Sequence, residues 1–266
     1  MDLIYHYTDI QGLFGILDKD EFWLTDHRFL NDPSEGAYAD EILKDNKDKI
    51  LADCNPESHE LIFYNLERTY TGSENYHSRI YVGSFSAAPD RLSQWRGYCA
   101  ENGGYCIGFN LKKLQEISTD YDFCKCNYDY EKVISRWKEL AGFYHNSLLG
   151  VDYATEEIHK SEKFQDAFNF VINKTHMRFE TKDPGYYEEE EIRLYRDLPI
   201  SNNETCYRPS QGALIPFIKL KGIKDCIEEI IVGPLGDAER NYLALSEYKA
   251  QKSANFVLAP SAIRFR

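Results

Sequence analysis

The stretch Leu-Ile-Tyr-His-Tyr-Thr-Asp-Ile-Gln-Gly-Leu-Phe-Gly-Ile-Leu, residues 3–17, changes its hydrophobic period halfway along. Its first part, Leu3 to Tyr7, is rich in the β-formers Ile and Tyr, which predicts a short strand. From Ile10 to Leu17 the apolar residues recur at intervals of three and four, which predicts a helix packed on a core. The chain is therefore expected to open with a strand that leads directly into a helix.

The junction between these two elements falls at His6 to Asp9, where a strand end can hold a side chain rigidly over a pocket. Thr8 and Gln11 have the spacing of a capping box, so Thr8 is expected to cap the helix. A helix N-terminus also offers free N–H groups to an anion, so a ligand contact at Thr8 is compatible with that role. His6 and Thr8 are thus candidate site residues.

A second decisive stretch is Ile80 to Ser86, in which side chains alternate with a period of two. Ser84 and Ser86 fall on one face of the predicted strand, and Phe85 falls on the other. The two hydroxyls are therefore expected to point to the same side of the sheet.

The rest of the chain predicts an α+β architecture, because strands lie near both ends without regular βαβ alternation. No Pro/Gly/Ser-rich linker divides the sequence, so residues 1–266 are expected to form one domain with a helical insert at about 130–178. The further predicted helices lie near 39–51, 58–70 and 238–250, and the further predicted strands lie near 22–25, 105–109, 188–196, 213–220 and 227–232.

Composition limits the classes of function. The 20 Tyr and 15 Phe suit both an aromatic core and a pocket for a flat ring. A net charge of −13 works against broad attraction to nucleic acid, and it fits either solubility or an inhibitory partner protein of basic character. No stretch has the roughly 20 apolar residues of a membrane span, and no signal peptide is visible, so a cytoplasmic protein without membrane contact is expected.

Several familiar chemistries lack their motifs. The chain has no G-x-G-x-x-G, no G-x-x-x-x-G-K-[ST], no H-E-x-x-H and no G-x-S-x-G sequence. Its seven cysteines are scattered, which predicts reduced thiols rather than a disulfide framework. Cys124 and Cys126 have no second Cys/His pair at zinc spacing, so no metal site is expected.

The segment Gln94-Trp95-Arg96-Gly97-Tyr98 combines two aromatics with an arginine on a glycine-flanked turn. Trp95 and Tyr98 are ordinary core residues when they occur singly. The Arg96 guanidinium, by contrast, is well placed to bind a phosphate or a carboxylate in a forked geometry.

The segment Glu189-Glu190-Glu191-Ile192-Arg193 lies in the predicted strand 188–196, where Glu189, Glu191 and Arg193 share one face. This pattern supplies a carboxylate for sugar chemistry. It is equally compatible with a structural ion pair, or with a charged edge strand that discourages pairing.

Together, these segments resemble the bacterial domain-of-unknown-function family 2971 (DUF2971), which is placed within the ADP-ribosyltransferase superfamily. The resemblance runs nearly end to end, and its most specific part is the Leu92–Gly97 segment. Its other parts are His6–Thr8, Phe29–Glu35, Ser84–Ser86, Ile107–Phe109, Glu191–Arg193, Ile230–Pro234 and Ser261–Arg266.

The resemblance implies a split β-sheet with an NAD cleft, NAD as a substrate and no metal. It assigns His6 to the NAD ribose and Glu191 to catalysis, with Glu189 as the rival carboxylate. The residues assigned to the cleft are Tyr7, Thr8, Ser84, Ser86, Trp95, Arg96 and Arg193, and either Tyr98 or Tyr105 stacks on the nicotinamide.

The expected function is transfer of ADP-ribose from NAD to an acceptor that the sequence does not identify, a protein, a nucleic acid or a small molecule. A role as a toxin or antiphage effector is compatible with the family. Two alternatives are a catalytically silent nucleotide-binding module, and an NAD glycohydrolase that uses water as the acceptor.

Overall fold

A computed structural model describes residues 2–30, 37–68, 78–99, 103–150, 162–210 and 212–263. The chain divides into two compact units. The first comprises Met1–Asn31, His77–Lys125 and Glu188–Arg266, and the second comprises Asp32–Tyr76 and Cys126–Tyr187. The architecture is mixed α and β with one large mixed sheet, which agrees with the predicted class at that level.

The first unit contains the sheet, whose strand order is β10-β9-β4-β1-β3-β2-β8-β7, with β6 pairing β3 and β5. All pairs are antiparallel except β9 with β10. The strands are β1 Leu3–Thr8, β2 Glu21–Asp26, β3 Ser78–Ser86, β4 Tyr105–Asn110, β5 Asp122–Lys125, β6 Glu191–Pro199, β7 Cys206–Ser210, β8 Ala213–Lys221, β9 Ile227–Val232 and β10 Val257–Pro260.

Strand register sorts the side chains of this sheet onto two faces. Phe85 lies opposite Ile192, and both side chains join the main hydrophobic core of the unit. We call this side the aromatic face, because Phe22 and Phe109 pack there too. The other side, which we call the polar face, carries Ser84, Ser86, Glu191 and Arg193, with Ser84 opposite Arg193 and Ser86 opposite Glu191.

The described residues of the first unit include the helices α1 Ile10–Lys19, α5 Leu92–Tyr98, α6 Leu111–Ile117 and α9 Ala238–Lys252. Asp9, rather than the predicted Thr8, caps α1, because its side chain accepts a hydrogen bond of 2.8 Å from Gly12 N. Thr8 instead completes β1, where it lies opposite Tyr105. Because Thr8 still pairs with β4 as part of β1, the N-cap position of α1 falls on the next residue, Asp9.

Helix α5 is held by Trp95, which is fully buried and packs edge-on against Tyr7, with 4.9 Å between ring centroids. Gly233 passes beneath the indole so closely that a Cβ there would come within 2.8 Å of the ring. The same glycine donates a backbone hydrogen bond of 2.8 Å to Gly104 O. The close approach of this backbone to Trp95 therefore requires a residue without a side chain.

The second unit is helical and has its own core around the fully buried Trp137. Lys174 and Arg178 of its last helix donate to the carbonyls of Asn65, Leu66, Glu67 and Arg68, which end α4. Cations at a helix C-terminus satisfy its free carbonyls. The helices are α2 Ala37–Asp45, α3 Lys47–Leu51, α4 His59–Glu67, α7 Tyr130–Phe143 and α8 Glu162–Glu180, with a π-helical turn at Tyr144–Leu148.

The insert predicted at about 130–178 supplies α7 and α8 of the second unit, which also takes α2, α3 and α4 from earlier in the chain. The single domain over residues 1–266 stays a prediction. Residues 31–35 of the Phe29–Glu35 turn and the end of the Ser261–Arg266 segment, from 264, lie outside the described residues.

The strand predicted at 188–196 begins only at Glu191. Pro184–Glu189 forms 3₁₀ turns, and Glu190 has a φ of 43°, in the left-handed region that strands exclude. Glu189 and Glu191 therefore do not share a strand face, contrary to the prediction. The short elements β5, β7 and α6 were not predicted from the sequence. The alternation along β3 is confirmed.

Within the described ranges, none of the helices combines the length and the apolar composition needed to span a bilayer.

Candidate functional site

The turn that follows β3, residues 86–91, is hydrogen-bonded to Glu189 and Glu190, the two residues just before β6. Ser86 Oγ donates to Glu189 O at 2.7 Å and accepts from Ala88 N at 3.1 Å. Ala87 N donates to Glu190 O at 2.9 Å. The Ser84–Ser86 motif and the glutamate run are therefore fixed to each other by backbone contacts.

The opening strand reaches the same turn through Tyr7. The buried Tyr7 hydroxyl donates to Ala88 O at 3.0 Å and accepts from Arg91 N at 2.9 Å. Burial raises the pKa of Tyr7 well above its usual value, so the phenol stays protonated and keeps both hydrogen bonds. Tyr7 therefore connects the N-terminal motif to the turn, and its assignment to an NAD cleft stays a prediction.

Asp90 ties the turn to two further segments. Its Oδ1 accepts from Trp95 Nε1 at 2.8 Å and from Ser261 Oγ at 2.5 Å, and its Oδ2 accepts from Ala262 N at 2.7 Å. Asp90 has a φ of 52°, which is uncommon for a residue with a side chain. Three hydrogen bonds to one carboxylate stabilise that conformation and fix α5 against the C-terminal segment.

Helix α5 contacts the glutamate turn from its outer side. Arg91 Nη2 lies 2.5 Å from Glu190 Oε1, and Tyr98 OH donates to Glu189 Oε1 at 3.1 Å. Glu189 is partly exposed, and Tyr98 is 40% exposed. The result is an accessible carboxylate with a phenol beside it, at a place where the four sequence motifs meet.

Glu191 and Arg193 form a separate, buried pair on the polar face. Arg193 Nε donates to Glu191 Oε1 and Arg193 Nη2 donates to Glu191 Oε2, both at 3.0 Å. Glu191 is 3% exposed and Arg193 is 1% exposed. Both carboxylate oxygens are thus bound to the guanidinium, as the alternative of a structural ion pair predicts.

His6 does not lie on the side that carries Glu191. Its Cα lies opposite that of Ile107, and its ring packs edge-on against Phe22 with 4.9 Å between centroids, on the aromatic face. The imidazole Nδ1 is 3.0 Å from Ser84 O. Because a carbonyl only accepts, Nδ1 carries the proton and Nε2 is the acceptor of the neutral ring. Burial lowers the pKa of His6 and favours that neutral form, against the opposing effect of the Ser84 carbonyl.

The other residues predicted for the site also lie in different places, some on the polar face or on α5 and some on the aromatic face. Ser84 is partly buried on the polar face, and Arg96 is exposed on α5. Thr8 packs against α1, since its Oγ1 lies 1.9 Å from where a Cβ on Gly12 would stand. Tyr105 is buried in the core of the aromatic face, and burial raises its pKa. Of the two tyrosines predicted for nicotinamide, Tyr98 is the one that contacts Glu189.

Some functional candidates gave no clear signal in the sequence. Asp90 and Arg91 lie in an ordinary loop pattern, and only their contacts with Trp95 and Glu190 bring them to the site. Among the described residues, no group of three His, Cys, Asp or Glu is arranged to hold a metal ion. None of the seven cysteines, all of which lie in the described ranges, forms a disulfide.

The two glutamates are expected to contribute very differently to the stability of the fold. Replacing Glu191 by Gln leaves the buried Arg193 guanidinium without its counter-ion, so the free energy of unfolding should fall by about 3–5 kcal/mol. The matched variant Glu189→Gln should stay within about 0.5 kcal/mol of the wild type, because Glu189 is partly exposed. Urea denaturation measures both values, and equal stability of the two variants would contradict the buried pair.

His6 predicts a loss of stability on acidification. Its pKa is lower in the folded chain than in the unfolded chain, so the unfolded state binds more protons as the pH falls below about 6.5. One such histidine lowers the free energy of unfolding by up to about 1.4 kcal/mol per pH unit. His27 also has a pKa lowered by burial, so the comparison is between the wild type and His6→Asn. Denaturation from pH 7 to 5 should show a shallower slope for the variant, and identical slopes would refute a neutral, buried His6.

Comparison with known proteins gives one match. The model of a family described as a protein of unknown function (DUF2971) matches residues 94–194, a stretch that begins in α5 and ends in β6. No curated protein and no solved structure matches the chain. The predicted relation to DUF2971 is thus supported over residues 94–194, which include both the Gln94–Tyr98 segment and the Glu191–Arg193 pair.

Proposed function

We propose that the chain transfers ADP-ribose from NAD to an acceptor, and that Glu189 is its catalytic carboxylate. The observation that supports this assignment is the meeting of Ser86, Tyr98 and Glu189, with Ser86 holding the Glu189 carbonyl and Tyr98 holding the Glu189 carboxylate. The resemblance placed one glutamate of this run at the reacting sugar, and Glu189 is the accessible one of the two candidates.

The chemistry requires a carboxylate near the C1′ atom of the nicotinamide ribose. When the C1′–N bond breaks, nicotinamide leaves with the electron pair and positive charge develops on the sugar. A carboxylate fixed in advance stabilises that charge. The acceptor then bonds to C1′ and loses a proton. Glu189 suits this role, because its backbone is fixed by Ser86 and one of its carboxylate oxygens accepts from Tyr98.

The exposed residues near Glu189 suit two of the chemical groups of NAD. The exposed guanidinium of Arg96 suits a pyrophosphate, and the Tyr98 ring suits a flat heterocycle. Arg193 is bound to Glu191 and buried, so the proposal gives it a structural role instead. His6 faces the aromatic core, and the proposal assigns it no step.

A second candidate is a catalytically silent nucleotide-binding module. It is favoured by one observation, the bidentate ion pair that occupies both oxygens of Glu191, the carboxylate that the resemblance assigns to catalysis. Such a module would gain stability from NAD without releasing nicotinamide. A glycohydrolase would release nicotinamide without any added acceptor.

Replacing Glu189 by Gln should lower the rate of nicotinamide release from NAD by about a hundredfold or more, because the charge that stabilises the sugar cation is lost. The matched control is Glu188→Gln, since Glu188 is exposed on the same turn and should leave the rate unchanged. Release is measured by chromatography, with and without cell extract as a source of acceptor.

Three outcomes separate the candidates. Release that depends on extract supports the transferase, and release without extract indicates the hydrolase. Thermal stabilisation by NAD without release in either condition indicates the silent module. Full activity of Glu189→Gln would reject Glu189 as the catalytic carboxylate.

A further inference from the structure

The hydroxyl of Tyr98 lies beside the carboxylate that the proposed function uses. It donates a hydrogen bond of 3.1 Å to Glu189 Oε1, and Tyr98 is 40% exposed. A nucleophile and the base that activates it are recognised by side chains within hydrogen-bond reach, about 2.6–3.2 Å. Tyr98 and Glu189 therefore have the geometry of an acceptor hydroxyl and the base that takes its proton.

Helix α5 fixes the position of this hydroxyl. Trp95, one turn before Tyr98, is fully buried, and its Nε1 donates to Asp90 Oδ1 at 2.8 Å. The residue after Tyr98, Cys99, donates its backbone N–H to Trp95 O at 3.3 Å. Tyr98 thus stands between two anchored residues. A reacting group that is oriented in advance needs little further ordering to reach the transition state.

Two other hydroxyls that contact the same region point elsewhere. Ser86 Oγ is buried and donates to the backbone carbonyl of Glu189, not to its carboxylate. The Tyr7 hydroxyl is also buried and donates to Ala88 O. Of these three hydroxyls, that of Tyr98 combines exposure with a hydrogen bond to the carboxylate.

We propose that the chain transfers one ADP-ribose unit from NAD to its own Tyr98 hydroxyl. This inference rests on the proposed function and names the chemical class of an acceptor, a phenol. The C1′–N bond breaks and nicotinamide leaves with the electron pair of that bond. The Tyr98 oxygen supplies the electron pair of the new C1′–O bond, and the phenol proton passes to the Glu189 carboxylate.

Self-transfer has a fixed stoichiometry. Each chain reacts once at this position, because the product no longer has the hydroxyl proton that Glu189 removes. Without cell extract, nicotinamide release should therefore stop after one equivalent per chain. A glycohydrolase releases nicotinamide for as long as NAD is present, so the amount released distinguishes the two reactions.

The test incubates the full chain with NAD, measures nicotinamide by chromatography and determines the mass of the intact protein. The wild type should gain one ADP-ribose unit, and peptide fragmentation should place it on Tyr98. Tyr98→Phe keeps the ring but removes the hydroxyl, so both the mass gain and the release without extract should be lost. Tyr242→Phe, at an exposed position of α9, is the matched control and should be modified as fully as the wild type.

A mixture of two variants tests whether the transfer stays within one chain. Glu189→Gln retains the Tyr98 hydroxyl but lacks the carboxylate, and Tyr98→Phe retains the carboxylate but lacks the hydroxyl. Because Tyr98 contacts the Glu189 of its own chain, the mixture should remain unmodified. Modification of Tyr98 in the Glu189→Gln chain would contradict transfer within the chain.

The outcomes separate this inference from the proposed function. If nicotinamide is released but ADP-ribose is found on other residues, or persists in full on Tyr98→Phe, the inference fails and the transferase stands. Continuous release without a gain in mass indicates the hydrolase and also overturns the inference. No release with or without extract rejects the proposed function and the inference together.

Discussion

The pairing of β3 with β6 is the constraint on which the rest of the site depends. Because side chains alternate along a strand, one register fixes which residues enter the core and which face the other side. Arg193 lies opposite Ser84 and Glu191 lies opposite Ser86, so the Glu191–Arg193 ion pair is buried on the polar face. A slip of one residue would move both charged side chains to the aromatic face and would remove Ile192 and Leu194 from the hydrophobic core there.

The same register explains why the accessible carboxylate lies outside the strand. β6 begins at Glu191, and the left-handed backbone of Glu190 turns the chain away just before it. That uncommon conformation is held by Ala87 N on its carbonyl and by Arg91 on its side chain. Glu189 therefore lies beside Ser86, the last residue of β3, and not within the strand that pairs with β3. Local strain of this kind persists only where surrounding contacts stabilise it.

Periodicity in the sequence predicted β1, α1, β3 and the polar face of Ser84 and Ser86, because these elements depend on local hydrophobic patterns. It placed Glu189 in a strand, since nothing local in a run of glutamates reveals the left-handed residue at 190. The side of the sheet that His6 faces depends on pairing with β4, which is a tertiary contact.

The central claim is that Glu189 is open to a ligand while Glu191 is closed by Arg193. Carbodiimide coupling to a small amine, followed by mass spectrometry of the peptide that spans 188–193, tests it directly on the native protein. The account predicts modification of Glu188 and Glu189, protection of Glu189 alone when NAD is present, and no modification of Glu191. Coupling at Glu191 as fast as at Glu188, or an unreactive Glu189, would contradict it.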